Sequence, residues 1–152
     1  MTTKPRTSVH AEAHIHRKLI LFAAQLEGYL AHFPNCHKYT LTQCIRQAYL
    51  DVYNLTTEAQ KRYHKKTTLT QLDVRHEQLR MMIHLAHELG LFGYSAGRKD
   101  AENPGDHRFM VMLRMVDELG RMIGGWVRSG IQGATALDDE SRGARAPSAV
   151  GS

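Results

Sequence analysis

Long apolar runs are missing from this chain of 152 residues. The longest, Leu19 to Ala24, falls far short of the roughly 20 residues a helix needs to cross a bilayer. The first residues, MTTKPRTSVHAEAHIH, lack the apolar stretch of a secretory signal, so a soluble cytoplasmic protein with no membrane partner is expected. Cysteine is scarce too. Cys36 and Cys44 stand eight apart with no CxxC spacing, which supports neither a zinc site nor a disulfide framework and leaves reduced thiols. Catalytic signatures are equally thin. HExxH, a glycine-rich phosphate loop and a nucleophile elbow do not occur, and the adjacent Cys36 and His37 are weak support for a thiolate nucleophile. The chain is read as no enzyme, with no cofactor.

What is present is helical periodicity, with no strand pattern and no internal repeat. The length suits one domain with a real core. The first helix runs from about Val9 to His32, with Ile15, Leu19, Phe22, Leu26 and Tyr29 or Leu30 on one face, and stops before Pro34. The second runs from about Leu41 to His64. Thr40 and Gln43 read as a capping box at its start, and Leu41, Ile45, Ala48, Val52, Leu55 and Ala59 share a face. The third starts near Thr68 or Thr70, either of which could cap, carries Leu72, Leu79, Met82, Ile83, Ala86 and Leu89, and ends at a left-handed Gly90. GLFGYSAGRKDAENPGD reads as a loop. Asn103 or Asp106 caps the fourth helix, which buries Phe109, Met112, Leu113, Val116, Leu119, Ile123 and Trp126 and ends near Ser129.

Each helix is about 20 residues, or about 30 Å, and short links favour antiparallel neighbours. The expected fold is all-α: an up-down-up-down four-helix bundle over residues 9–129, after a flexible segment 1–8. Residues 130–152 shift to Gly, Ala, Ser, Arg and Asp and read as a disordered tail.

The formal net charge is +5, with a pI near 9.4, which suits an anionic partner. Cations gather as Arg46, Lys61, Arg62, Lys65, Lys66, Arg75 and Arg80, and antiparallel packing should merge Lys61 to Arg75 into one patch. Such a patch gains affinity for phosphate by releasing counterions. Equally, cations at helix C-termini are stabilising by roughly 0.3–1 kcal/mol each with no partner at all. Tyr63 and His64 inside the run either stack on unpaired bases or cover the end of the bundle.

Ten histidines raise a metal site, since His10 with His14, and His84 with His87, can each share a helix face. A di-iron bundle needs Glu-x-x-His from two helices, and that spacing occurs nowhere. Among seven methionines, those of the last helix outnumber what one stripe can bury, which hints at a second apolar face. Gly120 and Gly124, four apart beside Trp126, admit a close neighbour, either another helix of the chain or another subunit.

Three stretches in order, FPNCHKYTL, QLRMMIHLAHELGL and DELGRMIGGWVRS, resemble the Avd family, the accessory variability determinants of diversity-generating retroelements. The resemblance covers about Leu19 to Ser129. It implies a four-helix bundle assembled into a homopentameric barrel that binds the element's reverse transcriptase and template RNA, supports adenine-mutagenic copying, and has no active site. The related four-helix proteins of ribosomal RNA intervening sequences share the first motif, so a stand-alone RNA-binding protein is the alternative, ahead of a ligand- or metal-binding bundle.

Overall fold

The computed structural model describes the backbone of residues 6–143 and the side chains of 12–130. Four helices dominate: α1 (Arg6–Leu30), α2 (Leu41–Lys61), α3 (Lys66–Glu88) and α4 (Gly105–Gly143). Each packs against its sequence neighbours, and α4 returns to α1, which leaves α1 and α3 on a diagonal. This is the all-α up-down-up-down bundle read from the apolar spacing. Phe22, Leu26, Ile45, Val52, Leu72, Leu79, Met112 and Leu119 close one continuous core. Among the described residues no helix is long and apolar enough to cross a membrane.

Several boundaries differ from the sequence reading. Helix α2 starts after Thr40 as expected, but no capping box forms. Thr40 has ψ −106°, outside the extended geometry that aims a side-chain oxygen at the first amides, and its hydroxyl donates to the His37 carbonyl at 3.4 Å. The same helix ends at Lys61, three residues before His64, so the basic run is the α2–α3 turn itself. Helix α3 begins at Lys66, ahead of both candidate caps. Thr68 is buried with Leu69, and the Thr70 hydroxyl donates to Lys66 O at 2.8 Å within the helix. Gly90 is left-handed, φ 72°, as its place after the last turn required.

The segment after Gly90 is more built than a loop. A 3-10 turn, Leu91–Gly93, buries Leu91 and Phe92, and a two-residue hairpin follows: β1 (Tyr94–Ser95) and β2 (Arg98–Lys99). Ala96 (φ 51°) and Gly97 (φ 76°) make its tight turn. Helix α4 then opens behind Pro104. Of its two candidate caps, Asn103 takes a left-handed φ of 46° and Asp106 falls within the first turn, where its charge suits the helix dipole.

Helix α4 runs to Gly143, well past Ser129. No proline lies between Gly105 and Gly143, and glycine costs a helix only about 1 kcal/mol. Gly130 also has a packing cause, since a Cβ there would stand 2.6 Å from Leu69 Cδ1. Residues 144–152 of the tail and 1–5 of the leading segment lie outside the described residues.

Candidate nucleic-acid interface

The α2–α3 turn is set by how little chain it has. Lys61 ends one helix, Lys66 starts the next, and the four residues between reverse the direction. Arg62 leaves α2 extended, its N–H still bonded to Glu58 O at 3.0 Å. So short a turn cannot fold its side chains beneath itself. Lys61, Arg62, Tyr63, His64 and Lys66 are all exposed, Tyr63 by 85 %. Tyr63 therefore does not cover the end of the bundle; its ring stands in solvent, edge-on to His64 at 5.0 Å. Arg62 reaches Glu58 at 2.8 Å, an exposed i,i+4 pair worth about 0.3–0.5 kcal/mol. Lys61 and Lys66 make no ion pair among the described residues. Lys65 is different. Its ammonium lies 3.6 Å from Glu12 and 5.7 Å above the Trp126 ring, a cation–π contact that ties the turn to α1 and α4.

Three of the cations picked from the sequence sit apart from this turn. Arg75 lies further along α3, bonded to Gln78 at 3.0 Å beside the groove between α2 and α3. Arg46 faces α1, where its guanidinium clamps Glu27 at 2.9 and 3.2 Å while the Tyr49 hydroxyl donates to the same carboxylate at 2.6 Å. Burial pushes the Glu27 carboxyl up, but the bonds from Arg46 and Tyr49 and the Arg46 charge outweigh it and leave it below the usual range. Burial, then the bond to Glu27, pushes the Tyr49 phenol up to about 12. Arg80 spans Asp117 at 3.1 Å and Glu77 at 3.2 Å, and the bond to Asp117 raises its already high pKa. The charges of Arg46 and Arg80 are thus matched inside the chain.

The glycine pair divides as well. A Cβ on Gly120 would stand 2.8 Å from His76 Cε1, so Gly120 makes room for a buried imidazole whose ring bonds Val116 O at 2.7 Å. Among the described residues, a Cβ on Gly124 would meet Arg128 alone, at 3.5 Å. Arg121 and Arg128 were missed. Both are exposed and line, with Arg80, Asp73, Glu77 and Asp117, an open groove of about 600 Å³ between α3 and α4. A sequence signal for them exists: Arg114, Arg121 and Arg128 recur every seven residues, one face of a helix. No group of three or more His, Cys, Asp or Glu gathers as a metal site among the described residues. His10 lies outside the described side chains; His87 stacks on Phe109 at 3.9 Å and His84 meets the same ring at 5.3 Å.

Fold and site define an all-α bundle whose α2–α3 end is bare and cationic. A family model described as bAvd-like matches residues 13–130, which takes in all four helices. The chain belongs to the bAvd-like family, in line with the three motifs that resemble Avd. No curated protein and no solved structure matches the chain.

Proposed function

We propose that this protein is a non-catalytic accessory protein of a diversity-generating retroelement, working in the cytoplasm as a homopentamer that binds the element's reverse transcriptase and template RNA. Family membership carries the accessory role. The observation that supports RNA binding is the α2–α3 turn, where Lys61, Arg62 and Lys66 are exposed and Lys61 and Lys66 have no ion-pair partner among the described residues. Phosphates that displace counterions there gain affinity without any sequence being read. Tyr63 and His64, side by side in solvent, offer rings on which unpaired bases stack. Repetition around a pentamer turns weak single contacts into avidity, and a shared scaffold raises the effective concentration of polymerase and template for mutagenic copying.

Lys61→Ala/Arg62→Ala/Lys66→Ala tests the site while leaving Lys65 on Glu12 and Trp126. We expect a fluorescent single-stranded RNA to bind the wild type with a log–log salt slope of roughly −0.7 per phosphate contacted, and the triple variant to lose at least tenfold in affinity at 0.15 M salt. An unchanged affinity places the RNA elsewhere. Co-elution of the wild type with the reverse transcriptase separates the retroelement reading from a stand-alone protein, which would elute alone.

A further inference from the structure

The outer face of α1 is a row of small residues. Ala13, Ala24 and Gly28 are exposed and, at ~100° per residue, point within about 60° of one another, with Ala31 in the turn that follows the helix and the exposed Ile20 and Leu21 as rims. Gly28 lies inside a helix, where glycine costs about 1 kcal/mol against alanine, and none of the described residues comes within 4 Å of where its Cβ would stand. Its φ is not in the left-handed region either. No contact within the described chain accounts for a glycine there, whereas close approach by a body outside it does.

Helix α3, on the other diagonal corner, carries the opposite relief. Val74, Met81 and Leu85 stand outward in a ridge, 50 %, 54 % and 48 % exposed. Charge is complementary too. Arg17 lies in the α1 row and Asp73 beside the α3 ridge; both are exposed, and neither makes an ion pair among the described residues.

We infer that the α1 groove of one copy receives the α3 ridge of the next. This rests on the self-association proposed above and names its two faces. Because the faces differ, the contact is head-to-tail, the kind that closes into rings, and a two-fold dimer does not use it. The levels agree. In this bundle α1 and α3 run the same way, Lys18 pairs with Glu118, and Asp117 next to it pairs with Arg80. Residue 18 is therefore within about a turn of residue 80. A ring whose axis follows the bundle adds no rise between copies. Ala24 then meets Leu85, Gly28 meets the exposed Leu89, and Arg17 stands within about a turn of Glu77 and about two turns from Asp73.

The test places Ala24→Cys and Leu85→Cys in a background where the exposed Cys36 and Cys44 are serine, and oxidises with diamide. Light scattering gives the wild-type mass in parallel. We expect an oligomeric wild type, a covalent ladder from the double-cysteine protein, and no dimer from either single-cysteine protein, since a disulfide needs Cα atoms roughly 4.4–6.8 Å apart. Gly28→Gln, a better helix former at an open position, should keep full helicity and dissociate the assembly. A monomeric wild type overturns self-association itself. An oligomeric wild type with no ladder and an intact Gly28→Gln assembly overturns these faces alone. Dimers from a single-cysteine protein overturn the head-to-tail arrangement.

Discussion

The Arg108 cluster beneath the hairpin and the α2–α3 turn use their cations in opposite ways. At the end that carries the hairpin, Arg108 is consumed by the fold: it donates to Phe92 O at 3.3 Å, Tyr94 O at 2.7 Å and Ser95 Oγ at 3.0 Å, and lies 6.0 Å from the Tyr29 ring centroid. Asp100 completes the knot 3.9 Å away, its carboxyl held low chiefly by the Ser95 hydroxyl and the Glu102 N–H. His32 anchors the hairpin turn by accepting from Ala96 N on its ring and from Gly97 N on its carbonyl. At the α2–α3 end, by contrast, Lys61 and Lys66 are given to solvent. Burial decides which cations hold the chain together and which are free for a partner.

That contrast breaks most sharply at the hairpin end. Phe92 is buried among Tyr29, Phe33 and Phe109, with ring centroids 5.4–6.2 Å away. Phe92→Ala should cost about 3–5 kcal/mol in denaturant unfolding, the usual cost of emptying an aromatic core site. Arg108→Ala should follow at about 2–3 kcal/mol, since it leaves the Phe92 and Tyr94 carbonyls without their charged donor. Amide exchange across residues 94–99 should rise with it.

Gly120→Ala comes next. Its methyl would drive into the His76 ring, for a cost of about 1–3 kcal/mol, whereas Gly124→Ala should be neutral or stabilising by up to about 1 kcal/mol. Glu27→Gln should cost about 1 kcal/mol at neutral pH, because the pair with Arg46 is partly exposed. A carboxyl held below its usual value adds stability only above the unfolded-state pKa and loses it as pH falls through the folded one. The melting temperatures of wild type and Glu27→Gln should thus converge as pH drops below about 4.5, the ordinary glutamate value. Smallest of all, the triple replacement at Lys61, Arg62 and Lys66 should move stability by no more than about 0.5 kcal/mol while removing RNA.

What the sequence made legible follows from where the information lies. Four helices and most of their buried positions came from spacings of three and four, because one buried face imposes that period, although Leu89 is exposed and the buried Thr42, Thr56, Leu69 and His76 fall outside the stripes read from the sequence. The ends were harder. Helix α3 starts at Lys66, before either threonine, and its Leu69 packs on Gly130, sixty-one residues later. The hairpin is written in a positive-φ Ala96 and a lock from Arg108, neither of which is a periodic signal. For the site, the basic run was visible as a run, but the partners that neutralise Arg46 and Arg80, Glu27 and Asp117, are 19 and 37 residues away and are brought near only by topology. Gly120 and Gly124 look alike in the sequence. Only a packed His76 tells them apart.

The central claim is that the exposed cations at the α2–α3 turn, Lys61, Arg62 and Lys66, and not the chain's net charge, hold RNA. Its most direct test compares two variants of equal charge loss under one salt condition: Lys61→Ala/Arg62→Ala/Lys66→Ala at the turn, and Lys38→Ala/Arg98→Ala/Lys99→Ala at the hairpin end, where all three residues are exposed. We predict that the first loses at least tenfold in RNA affinity and the second less than threefold. Equal losses, or a larger loss at the hairpin end, would contradict the assignment.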